Sequence, residues 1–505
     1  MFEMVQEAFA TVFTLETLFL IIGGTALGLV FGSIPGLTAT MAIAICLPLT
    51  FGMDPGNGMA LLMGLYIGGV SGGLIPAILL NIPGTPSSVS TTFDGYPMAQ
   101  NGDAGKAFGF AIVFSFLGGL FSILILMFLS PALADIALGF GPFEFFAVTI
   151  FALTMIASLS GDSIIRGILS GFVGLFLGFV GSAPIDSYPR FTFGFDQLDA
   201  GFAILPVLIG LFAISEVLKN AEQRGSGVSN TKKIQYKIKG LGFSLAEFIQ
   251  QGWNGLRSFV IGVGIGILPG VGGGTANIIA YGTAKNRSKY PEKFGTGIND
   301  GVVASEGSNN AAIGGALIPL IALGIPGDTV TALLLGGLML HGLNPGPLLF
   351  EQSGDVVYII FASLIIANVI MCLFLFFGMR MFVKLLSIPQ HILLPIIIVL
   401  CVVGGFGVNN RIFDAAALVF IGLLGYALIK FKFPIVPIII GFILGPIAET
   451  NLSRGLMQSQ GDFSPFFTQP IAAFFLLLTF VSVGIKIWQN FKKKIKTDDS
   501  TTASL

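Results

Sequence analysis

LIPAILLNIPGTPSSVSTTFDGYPMAQNGDAGKA, residues Leu74–Ala107, starts as an apolar run and breaks at Ile82-Pro83-Gly84. Six hydroxyl residues follow before Asp94: Thr85, Ser87, Ser88, Ser90, Thr91 and Thr92. No charge lies between Pro55 and Phe93, whereas a loop in water normally carries some. Hydroxyls and a Pro-Gly break survive at membrane depth only where protein or a water-filled cavity surrounds them, because lipid cannot satisfy the freed backbone groups. The stretch therefore reads as a broken or re-entrant helix lining a polar site.

Working outward, the pattern recurs. Leu317-Ile318-Pro319 and Ile325-Pro326-Gly327 repeat Leu74-Ile75-Pro76 and Ile82-Pro83-Gly84 at the same internal spacing, and Asp328, Thr329 and Thr331 follow the second break. A lone IPG reads as a kink in a packed helix, which membranes tolerate. A matched pair of interrupted segments in two halves points instead to a transporter site. Upstream of each lies another break: Gly32-Ser33-Ile34-Pro35-Gly36, with Thr38 and Thr40 after it, is echoed by Gly266-Ile267-Leu268-Pro269-Gly270, with Gly272-Gly273-Gly274-Thr275-Ala276-Asn277 after it. Pro206 with Gly210 is likewise repeated by Pro437 with Gly441.

Composition fixes the class. Of 505 residues, 54% are hydrophobic and 10% charged, against about 25% charged in globular chains. Uncharged tracts at Thr17–Met53, Pro55–Phe93, Ala107–Ala134, Ser258–Ala284, Val356–Met379 and Phe463–Ile485 each exceed the roughly 20 residues a helix needs to cross a bilayer. An all-α polytopic membrane protein in a lipid bilayer is expected. The 69 glycines suit close helix approach. Cys46, Cys372 and Cys401 lie at no metal spacing, and His341 and His391 are too far apart for a metal site. The acidic N-terminus (Glu3, Glu7, Glu16) lacks the basic region of a cleaved signal.

Four divisions are expected. Residues 1–218 form a first transmembrane repeat with its tip at 82–95, and 219–255 a basic cytoplasmic linker. Residues 256–449 form a second repeat with its tip at 325–343, and 450–505 an extra transmembrane helix with a basic tail. The linker lysines (Lys219, Lys232, Lys233, Lys237, Lys239) lack the interleaved aromatics of a nucleic-acid surface, so no nucleic-acid partner is expected. Asp94, Asp103 and Lys106 mark water, and Lys285–Lys293 a hydrophilic loop. With the linker and Lys492-Lys493-Lys494 inside, single crossings send Ala107–Ser130 outward and Val356–Met379 inward. The two halves then form an inverted repeat, as in many secondary transporters.

The four breaks expose helix-end N–H groups whose partial positive charge suits anions. The expected substrate-binding set is Pro35, Gly36, Thr38, Gly84, Thr85, Ser87, Ser88, Thr91, Gly272, Gly273, Thr275, Asn277, Gly327, Thr329 and Thr331. No Lys or Arg lies in these four motifs, so an anion held there favours a cationic companion. Asp328, Glu306, Asn309 and Asn310 are the expected ligands of a coupling sodium ion or proton, with Asp328 foremost; Glu306 and Asp300 also fit an interface. No cofactor beyond that cation is expected.

GSIPGLTATMAIAICLPLTFGMDP (32–55), LNIPGTPSSVSTTFDGYPMAQNGDAGKAFG (80–109), PVLIGLFAISEVL (206–218) and the run 266–347, from GILPGVGGGTANIIAYGTAKNRS to LMLHGLNPGP, resemble the large membrane subunit of the tripartite tricarboxylate transporters, the TctA family. The resemblance covers nearly the whole chain. It implies a multi-pass subunit of the bacterial inner membrane importing citrate-like or other carboxylates. Its implied partners are a periplasmic solute-binding protein and a small membrane subunit, and its energy source is an ion gradient. The absence of a GxxxxGK[ST] motif agrees. An autonomous carboxylate transporter is the alternative. An intramembrane hydrolase using Ser308 or Asp328 fits less well, since neither His lies near a serine motif and Gly324–Asp328 only approaches a GxGD arrangement. A channel is also less favoured, because paired breaks of opposite topology suit alternating access.

Overall fold

The computed structural model describes residues 2–158, 163–222, 242–385 and 390–484. The lysines at 232–239 and the tail lysines 492–494 lie outside these residues, and the expected last span at 470–489 is described as a helix over Pro470–Gly484. Helices dominate. In chain order they are α1 (Phe2–Val12), α2 (Leu15–Ser33), α3 (Ala39–Cys46), α4 (Pro55–Gly72), α5 (Leu74–Leu80), α6 (Val89–Gln100), α7 (Ala104–Ala137), α8 (Pro142–Ser158) and α9 (Ile164–Phe179). A two-residue β-ribbon pairs Gly181–Ser182 antiparallel with Pro189–Arg190. Then come α10 (Ile204–Ile209) and α11 (Ser215–Glu222), joined through a π-helical turn at Gly210–Ile214. The second half holds α12 (Leu245–Gly266), α13 (Gly272–Arg287), α14 (Asn299–Leu323), α15 (Thr329–Leu340), α16 (Leu348–Gln352), α17 (Gly354–Leu385), α18 (Gln390–Asn409), α19 (Ile412–Lys430), α20 (Ile435–Gln458) and α21 (Ser464–Thr468).

Seven of the described helical segments are long and apolar enough to cross a membrane. One of them, Pro55–Leu80, is buried throughout its apolar window by surrounding protein. The chain is an all-α polytopic membrane protein. The basic linker is helical at both described ends, since α11 runs to Glu222 and α12 starts at Leu245. Lys285 and Arg287 belong to α13 rather than to the hydrophilic loop expected from Lys285 onward.

Glycine sets how the helices meet. On α2, Gly24 and Gly28 face α4 so closely that a Cβ on either would stand 2.5 Å from a backbone oxygen of Leu61 or Leu65. On α12, Gly266 meets α14 in the same manner, a Cβ there standing 2.6 Å from the Ala312 oxygen. In lipid, where no hydrophobic drive joins helices, such close backbone approach supplies the dispersion contacts that hold them. Local caps start the helices: Thr14 on α2, Asp54 with Pro55 on α4, and the Ser244–Glu247 capping box on α12. Glu247 also pairs with Lys106 at the start of α7; these bonds and the Ser244 amide hold its carboxyl down to about 2.

Two compact units result, Met1–Leu138 with Ile204–Tyr426, and Gly139–Ala203 with Ala427–Leu505. They cut across the division at 218 and 256, which follows sequence repetition rather than packing. Within the first unit, Gly210 lies against α19, where a Cβ would stand 2.6 Å from the Leu418 oxygen. Within the second, Gly441 of α20 lies against the Gly171 carbonyl of α9. Each late helix of one sequence half thus packs on a helix of the other half. The second unit also buries Phe143, Ala147 and Phe466 around one core, with Phe143 and Phe466 edge to face at 4.9 Å. Arg190 reaches Glu449 there through its second guanidinium nitrogen at 3.0 Å.

Candidate functional site

The two IPG breaks share one local build. Pro83 and Pro326 have no N–H to continue a helix and push the preceding isoleucine out of helical geometry. α5 therefore stops at Leu80 with Asn81 left-handed (φ 57°), and α14 stops at Leu323 with Gly324 left-handed (φ 72°). Each isoleucine amide then donates back to the carbonyl of the earlier proline: Ile82 to Pro76 at 3.4 Å and Ile325 to Pro319 at 3.1 Å. After each break a hydroxyl three residues on serves the first amide of the next segment. Ser88 Oγ accepts from the Thr85 amide at 3.2 Å, and Thr331 Oγ1 accepts from the Asp328 amide at 2.7 Å. At the second break Asp328 Oδ1 also accepts from the Thr331 amide at 2.7 Å. At the first, the buried Thr85 hydroxyl has no partner.

Each tip is pressed onto the upstream break of its own half. A Cβ on Gly84 would meet the Gly32 carbonyl and stand 2.8 Å from Gly73 Cα. A Cβ on Gly327 would stand 2.7 Å from the Gly266 oxygen and 2.6 Å from Ala316 Cα. Only glycine fits at either tip. The halves are also joined to each other. The Thr40 and Thr329 hydroxyls lie 3.3 Å apart, Asn277 donates to the Ser87 carbonyl, and Ser90 Oγ donates to Asn277 Oδ1 at 2.7 Å. A Cβ on Gly273 would stand 3.3 Å from Ser87 Cβ, and one on Gly272 (φ +64°) 3.0 Å from Asp328 Cβ. The four breaks converge. Thr38, Ser87, Gly273, Gly274, Asp328 and Thr329 stay half-exposed there, a polar rim over a buried floor.

The expected ion ligands are all in protein interior or at this rim, and each carboxylate is held by hydroxyls. Tyr66 donates to Asp328 Oδ2 at 2.7 Å. Thr91 donates to Glu306 Oε1 at 2.5 Å and Ser115 to Glu306 Oε2 at 3.0 Å. Glu306 is fully buried, which places it within the helix packing rather than at an interface, whereas Asp300 is half-buried and bonded by Ser288. Among the described residues no lysine or arginine pairs with Glu306 or Asp328. Asn310 accepts from Ser71 at 2.7 Å, and Asn309 is buried beside the Glu306 carboxyl with its amide making no hydrogen bond of normal geometry.

Other expected residues serve structure. Thr38 caps α3 by accepting from the Met41 amide at 3.2 Å. Gly36 (φ +89°) offers its carbonyl to the Asn220 side chain of α11, with Pro35 beside it. Thr275 is exposed on α13. Asp94, read from sequence as a water marker, is fully buried. It accepts from Tyr281 at 2.9 Å and from the amides of Gly295, Gly297 and Ile298 at 2.8 to 3.0 Å, which satisfies the carboxylate without water. Ser308 donates to the Ala304 carbonyl of its own helix at 2.7 Å. Tyr66, Ser71 and Ser115 are the polar partners that sequence reasoning missed. Their signal was a hydroxyl inside an otherwise apolar spanning segment.

A family model for the tripartite tricarboxylate transporter TctA family matches residues 18–440, so it spans all four breaks. The chain belongs to the TctA family. As a member it is a membrane component of a transporter and not an enzyme, which leaves Ser308 a helix residue. Among relatives of the same family, the "Uncharacterized 52.8 kDa protein in TAR-I ttuC' 3'region" of Agrobacterium vitis is 36% identical over 471 residues, 93% of each chain. The "Uncharacterized protein in TAR-II ttuC' 3'region" of the same organism is 37% identical over 230 residues, 46% of this chain and 95% of that protein. No solved structure matches.

Proposed function

We propose that this TctA-family chain is the large transmembrane subunit of a binding-protein-dependent secondary transporter. It imports tricarboxylates or other carboxylates across the bacterial inner membrane, driven by a sodium or proton gradient. A periplasmic solute-binding protein delivers the substrate, and a small membrane subunit completes the assembly. The observation that carries the reading is the convergence of four Pro-Gly breaks, bonded across the halves through Asn277–Ser87, Ser90–Asn277 and Thr40–Thr329. Such breaks aim helix N-termini at one place, which suits an anion, while hydroxyls and carboxylates nearby suit its cation. The substrate lies among the two tips and the first turns of α3 and α13; Asp328, Glu306, Asn309 and Asn310 are the coupling-ion candidates. Family membership supports the partners; the two halves act as inverted repeats.

The test is uptake of labelled citrate, succinate and tartrate into proteoliposomes holding both membrane subunits, with and without the binding protein, a sodium gradient and a proton gradient. Uptake requiring the binding protein and one gradient is expected. Uptake without the binding protein makes the chain an autonomous transporter. Absence of uptake with every partner and gradient present removes carboxylates as the substrate class.

A further inference from the structure

Three of the four segments that start at the breaks are served by their own side chains. Thr38 caps α3, Ser88 serves the Thr85 amide ahead of α6, and Asp328 with Thr331 closes the start of α15. The fourth is different. α13, 16 residues long, follows Val271 and opens with Gly272-Gly273-Gly274, and no side chain caps it. Aligned on the paired Pro-Gly breaks, Gly272 stands where the first half has Thr38. The capping hydroxyl of one half is thus missing from the other, and the first amides of α13 have no acceptor from a cap.

A second observation meets the first at the same place. Asn309 is 1% exposed and lies beside the Glu306 carboxyl, yet neither end of its side-chain amide makes a hydrogen bond of normal geometry. Its Oδ1 lies 3.2 Å from where a Gly273 Cβ would be. Leaving such a group unpaired costs about 1–3 kcal/mol, and a primary amide turns either its donor or its acceptor toward a neighbour. The Thr85 hydroxyl, also buried and unpartnered, belongs to the tip whose Ser87 flanks Gly273.

We propose that the first turn of α13, with Asn309 beside it, is the seat for one carboxylate group of the transported substrate. The α13 amides and Asn309 Nδ2 donate to it, and the side-chain-free surface of Gly273 admits it. The start of α3, closed by Thr38, offers no equivalent seat, so the site holds the substrate asymmetrically although the halves repeat. The inference rests on the carboxylate reading above and adds to it the group that takes the charge.

The purified full chain in lipid nanodiscs decides the matter, with citrate, succinate and tartrate as probes and their methyl esters as controls. Binding is measured by calorimetry. Protection of Ser87→Cys from maleimide is measured in a chain whose Cys46, Cys372 and Cys401 are serine. The acids should bind and protect, and the esters should not. Asn309→Asp sets a like charge at the seat, and Gly273→Ala fills it; each should weaken acid binding at least tenfold. Should Asn309→Asp fail to fold, Gly273→Ala and the protection of Ser87→Cys still decide. Acid binding within twofold of the unmodified chain in folded variants, or protection by esters equal to that by acids, overturns the seat and leaves the carboxylate reading standing. Failure of every acid to bind the folded, unmodified chain overturns the carboxylate reading together with the seat.

Discussion

Asp328 caps α15 and also accepts from Tyr66, and the two roles separate on substitution. Asparagine caps helices about as well as aspartate, so Asp328→Asn should keep the thermal unfolding temperature within a few degrees while removing the charge. If Asp328 ligates the coupling cation, uptake falls at least tenfold at every sodium concentration; normal uptake across the sodium range removes Asp328 from the ion site. Asp328→Ala loses the cap as well and should cost about 0.5–2 kcal/mol, the range for N-cap removal. Sequence showed Asp328 as an ionisable group in an apolar surround, while its i, i+3 partnership with Thr331 came from the structure. Its bond to Tyr66, 262 residues away, was not legible in the sequence either. Nothing in a string of residues marks which of many hydroxyls will face a given carboxylate.

Among the elements, the tips depend on glycine. Gly327→Ala forces a Cβ to within 2.6 Å of Ala316 Cα and 2.7 Å of the Gly266 oxygen, both backbone atoms that cannot yield cheaply. Overpacking of this kind costs about 1–3 kcal/mol. Gly282→Ala, on α13 with nothing within 4 Å of the new Cβ, should be neutral or should stabilise by up to about 1 kcal/mol. Thermal unfolding in detergent compares the two directly; equal midpoints would falsify the close packing of the second tip. The pairing of Lys106 with Glu247 joins the starts of α7 and α12. Because the folded state depresses the Glu247 carboxyl to about 2 from 4.5, the bond contributes above pH 4.5 and is lost as pH falls toward 2. Lys106→Met should therefore destabilise by under about 1 kcal/mol at pH 7, the scale of an exposed pair, with the difference closing in acid. A pH-independent difference between variant and parent would assign the effect to packing.

For the whole molecule, the proposed inverted repeat predicts opposite sides for the two tip-following segments. Reporter fusions after residue 100 and after residue 350 should read inside and outside respectively. The same side for both ends the inverted-repeat proposal while leaving the matched breaks intact. The exchange of late helices between the halves gives a second handle. Gly210 packs on α19, and Gly441 packs on α9, so cutting the chain in the 223–241 linker should not yield two independently stable halves. Co-expressed fragments 1–230 and 231–505 should copurify and transport. If each half instead purifies alone as a folded species, the interleaving has been overstated.

The sequence by itself determined that this chain lies in a membrane, that it breaks twice in each half, and that it is a TctA-family protein. Those properties live in composition, in Pro-Gly dipeptides and in local spacing, all of which act over a few residues. Only the tertiary structure decided that Asp94 is dry, that Glu306 rests on Thr91 and Ser115, and that α13 starts without a cap beside a buried Asn309. These outcomes join residues as much as 215 positions apart. They follow from which helix faces meet, and the even apolar character of the spanning helices leaves those faces unmarked in the sequence.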